Sequence, residues 1–105
     1  MGKKKGMKDS SIEHTSKMLK AMADLDRLKI INYLRAGTKN VGELANLLNA
    51  EIVNVSHHLG VLRDARLVST KKQGRFVYYS LNPETCKSSG STETFHLGFC
   101  RLEIR

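Results

Sequence analysis

The chain has 105 residues, room for one small domain and too few for two. Lys and Arg total 18 against 10 Asp and Glu, a formal net charge of +8, and 40% of the residues are apolar, enough for a packed core. No apolar run approaches the roughly 20 residues that span a bilayer. The basic start Met1-Gly2-Lys3-Lys4-Lys5 runs into polar residues rather than an apolar signal segment, and two cysteines are too few for a disulfide scaffold. These exclusions leave a small basic domain, expected to be cytoplasmic and to take a polyanion as partner. The plainer alternative is a solvated surface with a basic tail.

Residues 1–9 lack apolar periodicity and read as a basic mobile arm. Ser10 and Ser11 can cap a helix over about 11–23, with Ile12, Thr15, Leu19 and Met22 on its apolar face. Asp24 can cap a second helix, whose face is expected to be Leu25, Leu28, Ile31 and Leu34, widened by Ile30 and Tyr33. Gly37 stands where a helix stop belongs. Asn40-Val41-Gly42-Glu43 has the spacing of a capping box and leads into a short third helix through Leu44, Ala45, Leu47 and Leu48. Asn49 suits a left-handed turn. Ile52, Val55, Leu59 and Leu62 then mark a fourth helix to about Ala65. Two short helices joined by about three residues make a helix-turn-helix.

Beyond Leu67 the period changes from 3.6 to 2. Val68–Lys72 and Phe76–Leu81 alternate around the turn signal Gln73-Gly74, which makes a two-stranded hairpin with a basic tip. The fold class is therefore α+β: a winged helix of about four helices and a two-stranded wing over residues 10–83. Residues 84–105 are expected to be a loop through the Ser/Gly-rich run 88–92, followed by one C-terminal strand. In that strand Cys100, Leu102 and Ile104 alternate with Phe99, Arg101 and Glu103.

Three stretches carry a family likeness. Leu19-Lys20-Ala21-Met22-Ala23-Asp24-Leu25-Asp26-Arg27-Leu28-Lys29-Ile30-Ile31, Val55-Ser56-His57-His58-Leu59-Gly60-Val61-Leu62-Arg63 and Gln73-Gly74-Arg75-Phe76-Val77-Tyr78-Tyr79-Ser80-Leu81 occur in this order. They resemble the entry segment, recognition helix and wing of the ArsR/SmtB family of bacterial regulators over about residues 14–83. The resemblance implies a dimeric repressor of operator DNA, released by a metal ion or another inducer. There are departures. Leu25 replaces a proline, and Arg66 replaces a glycine, with a strain of about 1 kcal/mol if that site is left-handed. The family's metal-binding cysteines on the third helix align with Asn40 and Gly42, so that thiolate site is absent. Residues 82–96 lack both the period and the Asp/His ligands of the family's fifth helix. That helix also pairs the subunits, so the dimer contact here must differ in part.

A recognition helix enters the major groove by its N-terminal residues. The candidates for DNA contact are Val53, Asn54, Ser56, His57, His58 and Arg63, with Lys71, Lys72 and Arg75 at the wing. Asn54 can pair with adenine and Ser56 with a base or phosphate. His57 is expected to face the groove and His58 the phosphates, since neighbours on a helix point about 100° apart. The bland alternative is an ordinary polar helix face and a solvated hairpin. Cys86, His96 and Cys100 are a candidate thiol or metal sensor, for Zn²⁺ or another thiophilic ion. Against that, Cys100 shares an alternating face with Leu102 and Ile104 and reads equally as a buried apolar residue. No phosphate loop or hydrolase motif occurs, so an enzyme is not expected. Two alternatives to an inducible repressor stay open: a winged-helix module that binds protein, and a DNA-binding regulator that senses nothing.

Overall fold

The computed structural model describes residues 9–105, so the basic arm lies outside the described residues except for Asp9, which opens the first helix. Helix α1 spans Asp9–Met22, α2 Leu25–Leu34, α3 Val41–Leu48 and α4 Ile52–Asp64. Strand β1 is Lys39–Asn40, β2 Val68–Gln73, β3 Phe76–Leu81, β4 Cys86–Ser89, β5 Thr92–His96 and β6 Arg101–Ile104. Helices α2 and α3 start where the capping chemistry puts them, whereas α1 opens at Asp9, ahead of the expected caps Ser10 and Ser11, and α4 starts after Glu51 without a side-chain cap. The Asp24 side chain accepts from the Arg27 N–H. Asn40 and Glu43 form the reciprocal capping box, each bond 2.9 Å long. Asn49 closes α3 in the left-handed region at φ 53°.

The strands depart from expectation in two places. The wing has three strands, not two: β1 pairs with β3 antiparallel, Lys39 opposite Tyr79 and Asn40 opposite Tyr78, giving the order β1-β3-β2. The expected loop at 84–94 is instead a hairpin of β4 and β5 that turns at Gly90, and β6 adds to it in the order β4-β5-β6. The C-terminal strand is present, but as the edge of a sheet.

One core joins the helices and both sheets. Met18, Ile30, Leu44, Leu59, Leu62, Phe95 and Leu97 are fully buried within it. The helix faces are rotated from the expected stripes. In α1 the buried side is Thr15, Met18, Ala21 and Met22, whereas Ile12 and Leu19 are exposed. In α2 it is Ile30, Ile31 and Leu34, and Leu25 is 68% exposed. Arg27 lies on the same stripe as Ile30, Ile31 and Leu34, and its Nε donates to the Ala21 carbonyl at 2.7 Å, so its guanidinium faces α1 beside that apolar stripe.

The second sheet is tied to the helices by polar bonds. Glu93, 5% exposed, accepts from Arg35 Nε at 3.4 Å and from the Ser88 hydroxyl. Arg35 also donates to the carbonyls of Ser91 at 2.6 Å and Arg105 at 3.2 Å. Buried Thr15 donates to the Leu97 carbonyl and accepts from the Phe99 N–H at 3.0 Å. Arg66 is left-handed, φ 64°, so the condition for strain at that site is met. Its carbonyl is held there by the Asn82 amide at 3.0 Å and the Thr85 hydroxyl at 2.7 Å.

Candidate nucleic-acid interface

The α3–α4 pair presents the N-terminal half of α4 to solvent because Val55, Leu59 and Leu62 bury the opposite side. Val53, Asn54, Ser56 and His57 are exposed, and Val53 is 78% exposed, a large apolar residue with nothing packed on it. No carboxylate lies among these four. Arg63 is exposed in the last turn.

The wing stands beside that face. Gly74, at φ +62°, and Arg75 make a two-residue turn between Gln73 and Phe76. A cleft of about 440 Å³ separates wing and helix, lined by Ile52 and Ser56 from α4 and by Arg75, Val77 and Tyr79 from the wing. The register sorts the basic residues. Lys72 stands opposite Val77 and so shares the cleft-side face, whereas Lys71 stands opposite Tyr78 on the other face. The two lysines therefore point to opposite sides of the wing.

His58 is not part of the exposed set. Its side chain is 17% exposed and faces the N-terminus of α2. Nδ1 lies 3.1 Å from Arg27 Nη1. A guanidinium only donates, so Nδ1 accepts and the ring proton sits on Nε2, 3.7 Å from the Asp26 carboxylate. The helical angle between His57 and His58 places one in solvent and the other in this latch. The Arg27 backbone N–H, and after it the Arg27 charge, hold the Asp24 carboxyl below its ordinary value of 3.8 against the opposing effect of burial. Sequence patterns miss the latch, since its partners lie 31 residues apart and only the fold joins them.

The expected sensor set does not assemble. Among the described residues the one group of three ligand-type side chains within coordination reach is Asp24, Asp26 and His58. Arg27 already supplies the positive charge those groups face. Cys86, His96 and Cys100 do not form such a group. Cys86 is buried opposite Phe95, and burial, with the nearby Glu93 carboxylate, pushes its thiol up to about 11. Cys100 is exposed rather than buried, because it precedes β6 in the turn after Leu97. At the aligned family metal site, Asn40 is consumed in the α3 cap and Gly42 has no side chain, so no thiolate pair can form there.

No helix among the described residues is long and apolar enough to cross a membrane. Residues 24–70 match the bacterial regulatory protein, arsR family. The transcriptional repressor SdpR of Bacillus subtilis is 36% identical over 72 residues, 69% of this chain and 80% of its own. The structure of HlyU from Vibrio cholerae superposes with a TM-score of 0.65 at 37% identity, over 72% of this chain and 82% of that one. The homodimeric winged helix-turn-helix domain Mb0332 of Mycobacterium bovis gives a TM-score of 0.71 at 25% identity, over 80% and 78%. With the cap, the recognition helix and the wing in place, the chain belongs to the ArsR family of DNA-binding transcription regulators.

Proposed function

We propose that the protein is a repressor that binds a palindromic operator duplex as a homodimer, in the cytoplasm, as a binding protein and not an enzyme. The observation that carries this is the exposed N-terminal half of α4, where Val53, Asn54, Ser56 and His57 include no acid, set across a cleft from Arg75 of the wing, with Lys72 on the same wing face. In this reading Asn54 and Ser56 read base edges, with His57 and the apolar Val53 beside them. Lys72 and Arg75 meet phosphate and fix the register, without reading sequence. Likeness to the SdpR repressor supports repression, and likeness to a homodimeric winged helix supports the dimer. Two-fold symmetry places the recognition helices roughly 34 Å apart, one DNA turn.

The test is fluorescence anisotropy of a labelled duplex from the region upstream of the gene, against a scrambled duplex. Preference for the native duplex of about tenfold or more is expected. Equal binding to both, followed by failure of a genome-wide selection to return a shared site, would overturn the reading and leave a protein-interaction module.

A further inference from the structure

We propose that β6 is the contact between subunits, and that two copies of it pair antiparallel about a two-fold axis through Leu102 to form a continuous six-stranded sheet. The inference rests on the dimer reading above and adds where the dimer forms.

Strand β6 is the outer strand of β4-β5-β6, and its far side has no partner among the described residues. An open strand edge presents unpaired N–H and C=O groups and is a template for another strand. Which groups are open follows from the turn before it. The Leu97 N–H donates to the Cys100 carbonyl at 2.8 Å, so residues 97 and 100 form a hydrogen-bonded pair. Bonding alternates along an antiparallel ladder. Cys100, Leu102 and Ile104 therefore direct their backbone groups toward β5, and Arg101 and Glu103 direct theirs to the open edge.

A second β6 can meet that edge only where outward residues oppose outward residues. Centring the axis on Leu102 puts Arg101 opposite the partner's Glu103, and Glu103 opposite the partner's Arg101. Both pairs are hydrogen-bonded and oppositely charged. On the other face Leu102, half-buried in its own subunit, meets its copy. Moving the axis to Glu103 opposes two carboxylates, and moving it to Arg101 opposes two guanidiniums, which is destabilising. Moving it to Ile104 opposes Glu103 to the partner's Arg105, which lies beyond the end of β6, and leaves Arg101 and Leu102 unpaired. The edge is self-complementary in one register, the condition for an isologous contact.

The test is a charge swap in the full chain, read by sedimentation equilibrium, with circular dichroism confirming the fold of each variant. R101E and E103R each turn both cross-strand pairs into repulsions, and each should weaken the dimer by about tenfold or more. The double variant R101E/E103R restores opposite charges and should recover dimerisation to within about threefold of the wild type. As a second measurement, L102C in a C100S background places two thiols at a non-hydrogen-bonded pair, where the Cα separation of about 4.5 Å suits a disulfide. It should cross-link to a dimer on mild oxidation. A dimeric wild type with all charge variants unchanged and no cross-link would overturn the β6 contact and leave the dimer reading standing. A wild type that stays monomeric on its operator would overturn both.

Discussion

The wing offers the sharpest quantitative test of how this protein meets DNA. Lys72 shares the cleft-side face with Val77, and Arg75 lines the cleft itself, whereas Lys71 points to the opposite side. Removing both cleft-side cations, as K72A/R75A, should delete the two phosphate contacts per subunit proposed above, four per dimer. Each contact contributes about 0.9 to the slope of log K against log salt. The double variant should therefore flatten that slope by about 3 to 4. K71A should change it by less than about 1, although it removes the same charge from the adjacent residue. The assay is anisotropy of one operator duplex at four or five salt concentrations, repeated on a scrambled duplex. Both duplexes should lose the same slope, because phosphate contacts carry no sequence information. Equal effects from K71A and K72A, or an unchanged slope in K72A/R75A, would refute the placement of the wing's inner face against the backbone.

Three further outcomes follow from the polar network and the thiols. R35A leaves buried Glu93 without its guanidinium and should cost about 3 kcal/mol in urea unfolding, with E93Q in the same background recovering part of the loss. D24A removes the α2 cap and should cost about 1 kcal/mol at neutral pH. Because the folded carboxyl is held below 3.8, its charge-linked part is fully present above that value and is lost as pH falls through the depressed pKa; the gap between D24A and wild type should narrow there, seen in denaturation series at successive pH values. With its pKa at about 11, Cys86 is thiolate in roughly one molecule in ten thousand at pH 7. An aromatic disulfide reagent should thus titrate one thiol per native chain promptly, Cys100, and the second only in denaturant; two equally fast thiols would contradict the burial of Cys86.

What could be read in the sequence was local. Asp24, Asn40, Glu43, Asn49 and Gly74 act on backbone groups within a few residues, so their chemistry marks two helix starts, one helix end and the wing turn without knowledge of the fold. The exposed side of α4 was legible for the same reason, since Val55, Leu59 and Leu62 define the buried one. What was missed depends on distance. β1 is two residues long and exists only because β3 lies beside it. The β4–β5 hairpin was hidden because its inward positions include Glu93, which breaks the apolar alternation, and the group that neutralises it, Arg35, lies 58 residues earlier. His58 was placed on the phosphates because its partner Arg27 lies on another helix.

Those two missed arginines share one helix, and their positions link the fold to its use. Arg27 at the start of α2 holds α4 through His58, and Arg35 just past its end holds the second sheet through Glu93, Ser91 and Arg105. Eight residues of rise separate them, about 12 Å along a helix. The recognition helix and the strand proposed to join the subunits are thus both fastened to opposite ends of one short rigid element. A dimer reads two half-sites at a fixed spacing only if the path between its recognition helices is stiff. Polar bonds suit that purpose because they fix direction as well as distance, which apolar contacts at Phe95 and Leu97 alone do not. Loosening the Arg35 end should therefore cost operator preference more than total affinity, since the phosphate contacts proposed for the basic wing do not need the two half-sites to be in step.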